Sequence, residues 1–475
     1  MRLTIAGGGG FRVPLVYRAL SAGPFAGLVR ELVLYDVDPA RLAAIEAVLA
    51  SLARQGPPGS GPQIRAVSSL PEALDGADMV FAAIRPGGTA GRTADERIAL
   101  DLGLLGQETT GAGGISYALR SIPPMLRLAE EMRSRCPGAW LLNFTNPAGM
   151  VTEALVPVLG PKVIGICDSA SGLVHRAARA AGVALPEGTL DGVGYYGLNH
   201  LGWLYRLEAG GRDALPALLA NPAALSEFEE GRLFSPGLLA SLGCLPNEYL
   251  FYYYDTVRAV AGMRAAGQTR GESIARQQAE LYPRLAAAGA EAFALWEDAR
   301  RSREEGYLAE ARTSGERRDE TDLAGGGYER VALAAMRALS GGGAADLILN
   351  TRNAVGAAES AEPAEPEAGA RSAAQAVPAV PGLPADAVVE VPCTVTPDGA
   401  VPVPQDRPGP AQLELMQRVK DVERLVVEAT TGRREAALAA FARHPLVDSE
   451  VLAGKLLAGY EAAFPELGRL WHRGQ

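Results

Sequence analysis

The chain has 475 residues, 48% of them hydrophobic and 21% charged, with a mean hydropathy near zero. That is globular composition, long enough for one large or two linked domains with substantial cores. A net charge of −10 argues against binding nucleic acid by bulk field, and four scattered cysteines (Cys136, Cys167, Cys244, Cys393) without a CxxC exclude a dense disulfide framework.

Met1-Arg2 leads straight into Leu3-Thr4-Ile5-Ala6 and a glycine run, without the parts of a secretory leader. No apolar run approaches the length of a membrane helix. The expectation is a cytoplasmic protein with no membrane partner. Arginine outnumbers lysine 42 to 3, which is read, with the abundant Ala and Gly, as genome composition.

Over the first 165 residues, short apolar runs alternate with helical patterns. The runs Leu3–Ala6, Leu32–Tyr35, Met79–Ala83, Trp140–Phe144 and Val163–Ile166 are each followed by glycine, proline or a polar residue, as buried parallel strands are. Helices are predicted between them, at Pro39–Ala53 and Tyr117–Ser134 among others. The alternation predicts a doubly wound α/β sheet, a Rossmann-type domain over 1–166. Beyond about residue 200 the pattern turns mostly helical, with Ala259–Leu285 and Tyr328–Leu339 as candidates. This gives a larger, mainly helical α+β domain over 167–475. Residues 354–384, rich in Ala, Glu, Pro, Ser and Gly without period, are expected to be a flexible surface insertion ahead of a strand at Ala387–Val395. Leu413, Met416, Val419, Val422, Val426 and Ala429 recur at helical spacing and form one apolar face, expected to be plain core.

The first strand runs into Gly7-Gly8-Gly9-Gly10, followed by Phe11 and Arg12. Glycines there let a backbone approach a pyrophosphate, and the next helix offers N–H groups to the anion. Asp36 ends the second strand, where an acid accepts hydrogen bonds from ribose hydroxyls and disfavours a 2′-phosphate. Together they point to NAD rather than NADP, the bland alternative being a structural glycine turn.

Ligands of such sheets sit at the carboxyl ends of the strands. Arg85-Pro86-Gly87-Gly88 with Arg92, Gly106–Gly111, Asn143–Pro147 and Gly197–His200 cluster polar and glycine residues beside those ends. Cys167-Asp168 follows the fifth strand in the same way. A thiolate and an imidazole suit a divalent transition metal. On their own, Cys167 is equally a small core residue, His200 equally structural, and Tyr249, among Tyr252, Tyr253 and Tyr254, more readily core.

Gly106–Gly111, Asn143–Gly149, Gly165–Asp168, Gly197–His200, Pro246–Tyr254 and Asn350–Asn353 occur in that order. With them the chain resembles the NAD- and metal-dependent glycoside hydrolases of family 4, a group that stands apart from the two-carboxylate glycosidases. The resemblance runs over nearly the whole chain and is nearest to 6-phospho-β-glucosidases. It implies a layout like that of lactate and malate dehydrogenases, and a homodimer or homotetramer.

The resemblance also implies roles. NAD would be held by Gly7, Gly8, Gly9, Gly10, Phe11, Asp36 and Arg85, and a divalent metal, manganese in most members, by Cys167 and His200. Tyr249 would be the base that removes the sugar C2 proton. Arg92, Asn146 and Arg270 would bind the phosphorylated glucoside or disaccharide. The implied reaction oxidises C3, eliminates the C1 leaving group, adds water and returns the hydride, with no net oxidation.

Asp168 departs from the phospho-β pattern, where asparagine is usual, and resembles the phospho-α branch; it is expected to act as a general acid or a water-mediated neighbour of the metal. Arg12 stands in a loop where many members have serine. The alternatives are therefore a 6-phospho-α-glucosidase and, from another class, an NAD-dependent 2-hydroxyacid dehydrogenase. The other three cysteines are expected to be packed thiols.

Overall fold

Short apolar runs with no polar break bury both faces of a strand, which requires helices above and below the sheet. The computed structural model describes residues 1–57, 59–186, 188–312, 318, 327–355 and 377–471, and in it the five predicted runs form strands. The N-terminal strands are β1 (Arg2–Ala6), β2 (Glu31–Tyr35), β3 (Gln63–Val67), β4 (Met79–Ala82), β5 (Trp140–Asn143) and β6 (Val163–Gly165). All are parallel, in the order 3-2-1-4-5-6 of a dinucleotide-binding fold. β3 carries no continuous apolar run because it is the edge strand, with Gln63 and Arg65 exposed, and periodicity alone does not reveal it.

Seven further strands follow: β7 (Val193–Leu198), β8 (Leu201–Ala209), β9 (Arg212–Asp213), β10 (Leu245–Pro246), β11 (Ala345–Arg352), β12 (Val388–Thr396) and β13 (Gly399–Pro402). They pair antiparallel with one another, and β11 joins β6 with Asn350 opposite Gly165. Among the described residues the result is one mixed sheet of 13 strands. The region beyond residue 200 thus supplies more strand than its alanine-rich helical patterns suggest.

Helices Pro39–Ala53 and Tyr328–Leu339 lie where the sequence predicts them. The helix predicted from Tyr117 begins earlier, at Gly111. Its glycine-rich start resembles a loop, but a Cβ at Gly113 would stand 2.2 Å from the Gln107 carbonyl oxygen, so glycine is there for close packing. The single helix expected over Ala259–Leu285 is instead two, Thr256–Ala265 and Arg270–Ala287. Gly267 (φ +71°) breaks it, and Thr269 and Glu272 form a reciprocal capping box that starts the second.

Leu413, Met416, Val419, Val422, Val426 and Ala429 are all buried within this chain, so that face of helix Pro410–Ala429 is core. Of the expected insertion, 356–376 lies outside the described residues. The described remainder is packed in part, with Val377 exposed. Val355 bridges Val377, while Ala379, Val380 and Leu383 are buried. Asn353 holds that stretch by accepting the Val380 N–H (2.7 Å) and donating to the Val380 and Leu383 carbonyls. All four cysteines are buried free thiols. No helix among the described residues is long and apolar enough to cross a membrane.

Candidate functional site

The turn after β1 packs against β2 and β4. Gly7 and Gly8 donate to the Tyr35 carbonyl (2.9 and 2.8 Å), and Gly7 has φ +95° with room for no Cβ, which would stand 2.5 Å from the Ala83 carbonyl oxygen. Gly9 donates to the Asp36 carboxylate (2.9 Å) and accepts from the Tyr282 hydroxyl (2.8 Å). Gly7, Gly10, Phe11 and Asp36 line a cavity of about 2340 Å³ at the carboxyl edge of the parallel strands. Gly8 and Gly9 lie behind it, their missing side chains taken up by Leu34 and Arg41. Asp36 therefore shapes the loop as well as facing the cavity, since its other oxygen accepts the Asp38 N–H (3.0 Å).

Cys167 leaves the end of β6, and His200 (φ +63°) forms the tight turn between β7 and β8. β11 and β12 lie between those strands, and Glu390 on β12 ties the region together. Its buried carboxylate accepts from the Tyr195 hydroxyl (2.9 Å), Asn199 Nδ2 (3.2 Å) and Asn350 Nδ2 (3.1 Å). Asn199 also accepts the Ala148 N–H (3.1 Å), so the residue before His200 is fixed from two sides.

Burial holds the His200 imidazole neutral, its pKa brought down to about 3, and its buried Nδ1 has no hydrogen-bond partner. Burial, then the charges of Glu390 and Asp168, push the Cys167 thiol well up. A neutral imidazole with an unused nitrogen, and a thiol whose ionisation calls for a nearby cation, suit a divalent transition metal. No group of three or more His, Cys, Asp or Glu set to hold a metal occurs among the described residues, so Cys167 and His200 stand as a pair.

Tyr249 reaches this pair because β10 pairs with β8, setting Pro246 opposite Trp203. Asn247 then accepts the Tyr249 N–H (3.0 Å) and caps the turn. The Tyr249 and His200 rings stack at 3.7 Å, 4° from parallel. Burial, then Glu248 and Cys167, raise the Tyr249 phenol above its ordinary range, while a hydrogen bond with Tyr307 acts the other way. Tyr307 also donates to Glu248 (3.2 Å), a buried carboxyl that burial raises to about 8.

The cations come from the loops after β4 and from the helical region. Glu108 receives Arg92 (2.6 Å) and Arg85, and Arg92 also pairs with Glu96 (2.8 Å). Burial alone would raise the Glu108 carboxyl, but the two guanidiniums bring it down to about 2. Glu96 in turn accepts the Gly271 N–H (2.6 Å), which brings Arg270 to the same wall. Asn146, whose peptide bond to Pro147 is cis, presents a buried Oδ1 with no partner. Asp168 precedes helix Ser169–Ala180 without using its carboxylate as the cap.

The cavity brings together Cys167, Asp168, His200 and Tyr249 with Arg85, Arg92, Asn146 and Arg270. Glu108, Glu248, Tyr307 and Glu390 escape residue-by-residue reading. The one signal for Glu390 is an acid within the apolar run Ala387–Val395.

Residues 3–183 match the family described as Family 4 glycosyl hydrolase, and residues 195–447 match the Family 4 glycosyl hydrolase C-terminal domain. A probable 6-phospho-β-glucosidase of Bacillus subtilis is 30% identical over 393 residues, which is 81% of this chain and 78% of that one. The 6-phospho-α-glucosidase 1 of Lacticaseibacillus paracasei is 38% identical over 217 residues, 45% of this chain and 48% of the relative. The solved structure of the 6-phospho-β-glucosidase from Thermotoga maritima, with manganese, NAD+ and glucose-6-phosphate, has a TM-score of 0.75 at 25% identity and covers 98% of this chain and 99% of that one.

Proposed function

The chain belongs to the family 4 glycosyl hydrolases, and on that premise we propose that it hydrolyses 6-phospho-β-glucosides by redox-neutral oxidation, elimination, addition and reduction. The observation that carries this reading is the Tyr249 ring stacked on His200, whose Nδ1 is unpartnered, in the cavity that Cys167 and the glycine loop also line.

NAD would lie along Gly7, Gly10, Phe11 and Asp36, with Arg85 beside it and Gly8 and Gly9 shaping the loop from behind. A divalent metal, manganese on the pattern of the Thermotoga maritima structure, would be held by Cys167 and His200. When bound, the dinucleotide supplies a reversible hydride acceptor for the sugar C3 and the metal a Lewis acid for the carbonyl, which together make the C2 proton acidic.

Tyr249 removes the C2 proton, exchanges it with solvent, and reprotonates C2 when water has added. A cation at Cys167 and His200 opposes the burial that otherwise keeps its phenol protonated. Asn146 offers its free carbonyl oxygen to a sugar hydroxyl, and Arg92 and Arg270 form the wall facing the phosphate. Glu390 acts through Asn199, holding the turn that carries His200. We place the enzyme in the cytoplasm as a homodimer or homotetramer, the state to be read by light scattering.

A second reading, phospho-α specificity, is favoured by Asp168: an acid on the cavity wall that its own helix leaves uncapped is available to protonate a leaving oxygen. Parallel assays of the p-nitrophenyl 6-phospho-α- and β-glucosides separate the two.

With the β substrate, NAD+, Mn²⁺ and a reductant, turnover is expected to be lost on chelation and in Cys167→Ser, with no NADH build-up. Steady NADH formation would mean a net oxidation, as in a dehydrogenase, and would contradict the proposal.

A further inference from the structure

A cation on a cavity wall is normally matched by a counter-charge or an acceptor; Arg12, Arg85, Arg92 and Arg270 are so matched, while Arg303 beside them is not. Arg92 is held between Glu96 and Glu108 (2.8 and 2.6 Å), and Arg85 pairs with Glu108. Arg12 pairs with Glu304 (3.2 Å). Arg270 donates to the carbonyls of Gly306 and Arg303, the latter at 3.1 Å. The Arg303 guanidinium makes no ion pair or hydrogen bond among the described residues. It lies 5.0 Å from the centre of the Phe11 ring and lines the same cavity.

Its surroundings disfavour a lone cation. Burial, then Arg12, Arg270 and Arg92, pull its pKa from 12.5 down to about 9, with Glu304 acting in the opposite sense. It remains charged at neutral pH, pressed against like charges, and an anion entering the cavity would relieve that repulsion. Arg303 sits in the last turn of helix Ala292–Glu305, and Arg270 grips the carbonyls at that helix end. The planar guanidinium fork suits two oxygens of one phosphate.

We propose that Arg303 is the receptor for the phosphate monoester of the substrate, and that Arg270 is a positioning residue that pins the helix end carrying it. This rests on the phosphoglucoside reading above. Because Phe11 belongs to the glycine loop, the pyrophosphate of a dinucleotide is a second source of the same chemistry, and the test keeps the two apart.

Glucose 6-phosphate and NAD+ binding are measured separately by calorimetry on the full chain, alongside the melting temperature without ligand. In Arg303→Gln the glucose 6-phosphate Kd is expected to rise about 10- to 100-fold. KM for the phosphorylated substrate rises in step, while kcat changes less. Arg303→Lys restores part of the affinity, NAD+ binding is unchanged, and the ligand-free melting temperature stays level or rises because a like-charge contact is gone. Arg270→Gln weakens the same affinity, but adds little in the Arg303→Gln background, since both act through one contact.

Unchanged glucose 6-phosphate affinity in Arg303→Gln, or loss of NAD+ affinity in its place, overturns the assignment. A lower ligand-free melting temperature makes Arg303 structural, and additive effects of the two substitutions remove the role given to Arg270. Failure of the phosphoglucoside reading looks different: the wild-type chain then binds no glucose 6-phosphate, and the assignment falls with it.

Discussion

His200 and His444 are both buried, and burial holds each imidazole neutral down to about pH 3, against an ordinary value of 6.5. Their surroundings nevertheless differ. His444 Nδ1 accepts the Leu446 N–H (3.1 Å), whereas His200 Nδ1 has no partner. Sequence alone does not separate them, because a partner depends on what the fold brings near. The same limit applies to Tyr249, whose neighbours in the chain are aromatic and whose distinguishing contact, His200, comes from another strand pair. For stability the two histidines share a sign. As the pH falls below 6.5 the unfolded chain takes up their protons, while the folded chain resists until about 3. Their contribution is complete above 6.5 and is lost on acidification, by up to about 1.4 kcal/mol per pH unit for each. His444→Gln is expected to flatten the acid limb of the melting temperature against pH; an unchanged slope would show that His444 is protonated in the native state.

Among the elements, glycine serves two different ends. In Gly7–Gly10 it marks a true turn, but in Gly111–Gly114 the same composition opens a long helix packed on a neighbouring backbone. Both Gly7 and Gly113 lie too close to a carbonyl oxygen for a Cβ, and what tells them apart is the backbone, left-handed in φ (+95°) at Gly7 and helical at Gly113. Gly113→Ala is accordingly expected to cost about 1–3 kcal/mol, because its Cβ would meet the Gln107 carbonyl oxygen at 2.2 Å. Gly237→Ala, in helix Pro236–Leu242 with nothing within 4 Å of its Cβ, is expected to be neutral or to stabilise by about 0.5–1 kcal/mol. Equal losses in the two melting temperatures would contradict this account of the glycines. The break at Gly267 was written in the sequence as Thr269-Arg270-Gly271-Glu272, a capping-box pattern hidden inside an alanine-rich stretch.

For the whole molecule, the parallel half was legible because its strands are continuous apolar runs ended by turn residues. The antiparallel half was less so. β11 and β12 are separated by residues 353–387, and nothing local says that they slot between β6 and β7. That insertion assembles the site, since it places Glu390 and Asn350 between the strands that carry Cys167 and His200. In the mechanism proposed above, this assembly cleaves a glycoside by removing the C2 proton and reprotonating C2 from solvent through Tyr249. Hydrolysis of a 6-phospho-β-glucoside in D2O, followed by NMR of the glucose 6-phosphate released, tests it most directly. Deuterium is expected at C2 in the wild-type product, and both turnover and deuterium incorporation are expected to be lost in Tyr249→Phe. Full turnover with hydrogen retained at C2 would contradict it.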